Sequence, residues 1–145
     1  MQTDDSGLQV LSTGECLELL ASADIGRVIF TDHALPAVQP VNFYLDDASI
    51  VIRTNLGSKL AAATRQAVVA FEADEFDSDT RTGWSVTAVG RARAVQNDDE
   101  RARLERLPLR PWAPGDRSHF IVVRIEQVSG RRITAEPANA ASARS

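Results

Sequence analysis

Little in this chain can hold a metal or close a disulfide. Among 145 residues there is one cysteine, Cys16, and there are two histidines, His33 and His119. A lone thiol makes no internal disulfide, which fits a reducing compartment. These three side chains are too few for a structural Cys/His zinc site. Nor do they supply a Ser-His-Asp or Cys-His catalytic set. No apolar run is long enough to span a bilayer. The first residues, "MQTDDSGLQVL", carry acids where a signal peptide carries cations. Export is therefore not expected, and a cytoplasmic location is. A basic excess is missing as well: sixteen Lys and Arg stand against twenty Asp and Glu, a net charge of -4. That balance argues against nucleic acid as a partner.

What is present suits one small globular domain. Hydrophobic residues are 43% and charged residues 25%, and the length allows a single core. Residues 1–10 read as loosely ordered, 11–134 as the domain, and 135–145, "AEPANAASARS", as a disordered tail poor in large apolar residues. "STGE" at 12–15 is a capping box and starts a short helix to about Ala21, with Cys16, Leu17 and Leu20 inward. The period then falls to two. Strands are expected over 26–32, 36–46, 49–54, 67–76, 84–96 and 119–128. Pro40 inside the second marks an edge or a bulge. The even positions of the fifth, Trp84 to Ala94, form one buried face. A helix of about two turns follows the third strand at 59–65. A surface helix capped by Asp98 or Asp99 covers 98–107, and a proline loop runs over 108–117. Six strands with short connections and few helices predict a small antiparallel barrel, mainly β with flanking helices.

One turn stands out. "VIRTNLGSKLAAATR" (51–65) runs from strand through a polar turn into a helix, with Arg53 before the turn and Lys59 after it. Thr54 and Ser58 add hydroxyls, and Gly57 offers backbone freedom. Unpaired N–H groups at a helix start, a hydroxyl and a lysine are the parts of a phosphate site. The plain alternative is a solvated turn with two surface cations. The hairpin of "VQPVNFYL" with "SIVIRT" should bring Pro40 to Phe43 beside Arg53 and Thr54. An apolar wall with Asn42 next to a phosphate site would suit flavin mononucleotide, FMN.

At this point the chain resembles a known family, the pyridoxamine 5′-phosphate oxidase-like superfamily of FMN-binding split barrels, in its actinobacterial form. The resemblance covers about Leu11 to Ile133. It rests on "DIGRVIFTD", "PVNFYLDDASIVIRTNLGSKL", "VAFEADEFDSDTRTGWSVTAVGRA", "LPLRPWAPGDRSHFIVVRIE" and "VSGRRI". It implies a six-stranded split barrel and a homodimer with two shared flavin sites. It places Pro40, Val41, Asn42 and Phe43 along the flavin ring, and Arg53 and Thr54 at the ring and ribityl chain. Ser58 and Lys59 take the phosphate. Trp84 and Ser85 reach the flavin, often across the dimer interface. The vitamin B6 oxidases end in a tryptophan-bearing strand and an Arg-x-His-Arg-like motif that grip substrate. Here the end is "RIEQVSGRRITAEPA", with neither tryptophan nor histidine, so activity on pyridoxamine 5′-phosphate is not expected. The expected function is a flavin-dependent oxidoreductase of open substrate. The alternatives are a reductase using the deazaflavin F420 and a non-enzymatic flavin carrier or sensor. No catalytic residue and no metal ligand is named.

The remaining charged segments read as solvated. The acids of "FEADEFDSD" lack a calcium-loop pattern. "RARLERLPLR", with Arg101, Arg103, Arg106 and Arg110, reads as an exposed helix face. His33 and His119 read as ordinary, partly exposed histidines. Trp84 and Trp112 are candidate interface anchors.

Overall fold

A computed structural model describes residues 2–55, 57–109 and 119–135. Its elements are β1 (Gln9–Val10), α1 (Thr13–Ser22), β2 (Ile25–Asp32), β3 (Leu35–Asp46), β4 (Ser49–Thr54), α2 (Lys59–Ala63), β5 (Val68–Asp77), β6 (Thr82–Ala94), α3 (Asp98–Glu105) and β7 (His119–Ile133). All pairings are antiparallel, in the order β1-β7-β4-β3-β2-β5-β6, and β6 also pairs with β7. That last ladder closes β2 to β7 into a six-stranded barrel, as the sequence pattern predicts. The seventh strand, β1, is a two-residue addition against Arg131 and Arg132 of β7.

The N-terminal segment is more tied down than the sequence suggested. Besides β1, Asp4 accepts from the Leu8 N–H and bonds Arg131 Nε, each at 2.9 Å; the Leu8 bond, then Arg131, hold its carboxyl below the usual range against burial. The tail beyond residue 135 and most of the proline loop, including Trp112, lie outside the described residues. β7 is the largest departure. It runs five residues past the expected 128 because β6 pairs with it to its last residue, Ile133. Asn97, not Asp98 or Asp99, caps α3, its side chain accepting from the Glu100 N–H at 3.0 Å.

The alternation read in the sequence is the barrel's inner face. Gly26, Val28 and Phe30 of β2 and Trp84, Val86, Ala88, Gly90 and Ala92 of β6 are buried. α1 plugs one end. Ser12 and Glu15 form the expected capping box, and Cys16 and Leu20 are fully buried, with burial pushing the Cys16 thiol up. Close approaches fix two glycines. A Cβ on Gly26 would meet the Phe71 ring at 2.2 Å, and one on Gly90 would lie 1.9 Å from the Arg124 carbonyl oxygen. Gly90 sits at a bulge where β7 carries the extra residue Glu126. A second, smaller cluster lies outside the barrel, where Leu104 of α3 and Leu109 pack on Val51, Phe120 and Val122.

β3 changes partners midway. Leu35 to Asn42 pair with β2, while Phe43 to Asp46 pair with β4. Pro40 lies in the half that has β2 alone beside it, where a missing N–H breaks no second ladder. The strands β3 and β4 therefore part at Phe43 and Ile52, just short of Arg53.

The acidic stretch of β5 is not simply solvated. Arg27 Nη1 bonds Glu72 at 2.8 Å and Asp74 at 3.3 Å. Burial, then the neighbouring Asp74, pushes Glu72 up to about 7 against the pull of Arg27. The folded chain thus keeps this proton where the unfolded chain, at about 4.5, has lost it. The stability Glu72 contributes is fully present below the unfolded value and is lost as pH rises through 7. The melting temperature should fall between pH 5 and pH 7.5, and Glu72→Gln should flatten that segment. Calorimetric scans across this range check it; an equal slope in the variant would contradict it.

Candidate functional site

The turn after β4 is built by hydroxyls. Thr54, 2% exposed, donates from Oγ1 to Ser58 Oγ at 3.2 Å. Ser58 Oγ also accepts from the Ala61 N–H at 3.0 Å and so caps α2. With two bonds accepted, the Ser58 hydroxyl proton remains to be donated outward. Asn55 Oδ1 takes the Gly57 N–H at 2.9 Å. Gly57 is not needed for a left-handed backbone: its φ is not positive, and an added Cβ would meet nothing closer than Asn55 Oδ1 at 3.5 Å. Lys59, the first residue of α2, is exposed. It is the chain's only lysine; the other fifteen cations are arginines. The first turn of α2 holds no acid, so no carboxylate there competes for the lysine. A five-residue helix has little dipole. What the turn could offer an anion is the Ser58 hydroxyl, the Lys59 ammonium and the first N–H groups of α2.

The other expected residues divide. Val41 and Phe43 point into the barrel, buried to 8% and 4% exposure, and Phe43 packs edge-on against Phe71. Their side chains cannot face a ligand outside; their backbone and the outward Pro40 and Asn42 can. Asn42 Nδ2 donates to the Asp24 carbonyl at 3.4 Å, the Asn42 backbone pairs with Ile25, and the β3–β4 ladder has ended before it reaches Arg53. Arg53 and Thr54 point to opposite faces of β4. Arg53 lies over the Phe120 ring, 4.9 Å from its centroid, a cation–π stack.

Trp84 and Ser85 stand elsewhere. Thr54 pairs with His119 and Ser85 with Arg131, twelve residues apart on β7, a path of roughly 40 Å at ~3.3 Å per residue. One chain therefore does not bring them to the turn. Trp84 borders a cavity of about 490 Å³ with Glu75, Phe76 and Gly83, and Phe76 beside it is 56% exposed.

The sequence reading missed a larger cavity behind α2. It has a volume of about 570 Å³ and is lined by Ala61, Ala62, Arg65, Arg93, Arg101 and His119, among others. Arg101 was expected on a solvated face; instead it turns inward. No short motif marks this place, because α2, β6, α3 and β7 each contribute one or two residues. Among the described residues no group of three or more His, Cys, Asp or Glu side chains could hold a metal. No helix there is long and apolar enough to cross a membrane.

Ser58→Ala removes the cap and the Thr54 partner. It should cost about 1 kcal/mol, or roughly 3 °C in melting temperature. Lys59→Ala should leave the melting point within about 1 °C, as an exposed helix position does. Thermal melts of the two variants side by side test the division of labour.

The comparisons converge on one family. The family described as Pyridoxamine 5′-phosphate oxidase matches residues 12–132. An uncharacterised protein of Mycobacterium tuberculosis is 42% identical over 131 residues, 87% of this chain and 86% of that protein. A Corynebacterium glutamicum structure provisionally described as a pyridoxamine 5′-phosphate oxidase is 34% identical, with TM-score 0.78, over 90% of this chain and 96% of that one. The structure of an FAD binding protein from Mycobacterium smegmatis is 31% identical, with TM-score 0.69, over 88% and 99%.

Proposed function

Because the chain belongs to the pyridoxamine 5′-phosphate oxidase family, with its split-barrel fold, we propose that it binds a flavin through the turn at Thr54–Lys59. The observation that carries this reading is the Ser58 hydroxyl, fixed by two accepted bonds and flanked by the lone lysine. A flavin 5′-phosphate offers the oxygens that such a donor and such a cation take. The smallest flavin that carries such a phosphate is FMN. The described residues fit it: no acid stands in the first turn of α2, and the strands part at Phe43, leaving the outward edge of Pro40–Asn42 beside the turn.

The bound flavin would supply the electron chemistry of an oxidoreductase. The chain supplies placement. Ser58 and Lys59 hold the phosphate end, and the backbone of Val41 and Phe43 lines the ring beside Asn42. Arg53 is kept in place by Phe120, where its charge favours an anionic ring.

Trp84 and Ser85 enter the same reading only through a second copy of the chain. Their distance along β7 from Thr54 calls for a homodimer in which each subunit completes its partner's site. The exposed Phe76 beside Trp84 gives that contact an apolar anchor. Light scattering should give the mass of a dimer at micromolar concentration, and a monomer mass would count against the shared site.

The substrate is not pyridoxamine 5′-phosphate in this reading. Arg131, one of the two arginines near the end of β7, is held by Asp4 at 2.9 Å and by the Gly130 carbonyl at 2.9 Å. A held guanidinium is poorly placed to clamp a second phosphate.

The test is a flavin titration of Lys59→Ala. A charge-assisted bond to phosphate contributes about 1.5–3 kcal/mol, so FMN affinity should fall roughly ten- to a hundredfold. Unchanged affinity in the variant would remove the turn from the flavin site.

A further inference from the structure

The cavity behind α2 is cationic in an acidic protein. Among the described residues its walls hold three guanidiniums and one imidazole, and no Asp or Glu. Arg93 is balanced from outside by Glu100 through two 2.7 Å bonds. Arg65 and Arg101 have no acidic partner among the described residues. Arg101 reaches the Val95 carbonyl at 3.4 Å through one terminal nitrogen. Its Nε is buried with no hydrogen-bond partner, the only such side-chain atom among the described residues. Leaving a charged donor unpaired inside a protein is costly, and such groups are rare without a function.

His119 reports the same field. Burial, then Arg101, then Arg65 pull its pKa below the ordinary histidine range. Both guanidiniums therefore act on the ring. In its neutral form the imidazole carries one N–H that can donate. Arg91 Nη1 bonds the Gln66 carbonyl at 2.7 Å, which fixes the backbone just after Arg65. Ala61 and Ala62 keep the α2 wall low. The space, about 570 Å³, is of the size that takes small organic ligands.

We propose that this cavity is a second anion site, separate from the Ser58–Lys59 turn, that takes the phosphoryl group of a phosphate ester or diphosphate between Arg65, Arg101 and His119. Planar guanidiniums bond such oxygens in pairs. The buried Nε of Arg101 gains a partner, and the mutual repulsion of the cations is relieved. The site stands on its own residues and needs no flavin at the neighbouring turn.

The probes are pyrophosphate and adenosine diphosphate, followed by calorimetry and by the NMR signals of the His119 ring at low salt. With the Ser58–Lys59 turn filled by FMN, saturable one-to-one binding is expected, with the His119 pKa rising as the bound anion offsets the arginines. Arg65→Gln and Arg101→Gln should each weaken binding at least tenfold, and Lys59→Ala should not. Arg101→Lys keeps the charge and the fold but loses the planar fork, so it should also weaken binding. The source of the phosphoryl group is told by comparing FMN with FAD. A preference for FAD that disappears in Arg101→Gln places the group on the cofactor, while equal affinities place it on a separate ester. Binding that Lys59→Ala abolishes and Arg101→Gln spares would overturn the proposal, as would a His119 signal unmoved by either probe.

Discussion

The structure depends on the double pairing of β7. Its first half bonds β4, and nearly all of it bonds β6. Without the second ladder the sheet would be open, with β6 as a long unpaired edge. With it, every strand of the ring has two neighbours and the apolar faces enclose one core. The price of closure is local. Two strands must pass closely enough at Gly90 that no side chain fits, and one residue of β7, Glu126, is left over at the bulge. The same strand also sets the functional geography. Its start puts His119 beside Thr54, at the mouth where α2 begins, and its end carries Arg131 to Ser85.

What was legible in the sequence follows from period. β2 and β6 alternate cleanly, and the buried face of β6 follows from its even positions. The end of β7 was not legible, because "EQVSGRR" mixes Glu126, Gln127, Ser129 and Arg131 with few apolar residues. Such a stretch becomes a strand only because β6 is there to pair with it. β1 has two residues and no period at all. The cap of α3 was misplaced by one residue: Asn97, Asp98 and Asp99 are all good caps, and side-chain geometry chooses among them. The turn that carries Ser58 and Lys59 was legible because strand, turn and helix are contiguous. The role of Gly57 was misjudged, since Asn55 makes the turn. Arg101 was not read: it stands one turn before Leu104, the one buried residue of α3, but a charged side chain in so charge-rich a helix reads as exposed.

Charge is distributed against the average. A chain of net charge -4 concentrates unpaired cations on one side of α2 and places a cation at its start. Four of its arginines are tied to acids: Arg27 to Glu72, Arg93 to Glu100, Arg103 to Asp46 and Arg131 to Asp4. Surface pairs of this kind add little stability. Their effect is on the field, since they cancel arginines that would otherwise spread the positive potential over the barrel. Arg65 and Arg101, on either side of the cavity behind α2, are not cancelled in this way among the described residues.

The solitary lysine has a chemical consequence of its own. Arginine is inert to most acylating agents, and fifteen of the sixteen basic side chains are arginine. An amine-directed reagent, or an enzyme that acetylates lysine, finds a single exposed ε-amino group, and it lies at the start of α2. Acylation there removes the charge without touching the Ser58 cap. One covalent event would thus silence the cation of the turn and leave the barrel, its ion pairs and the arginines behind α2 as they were.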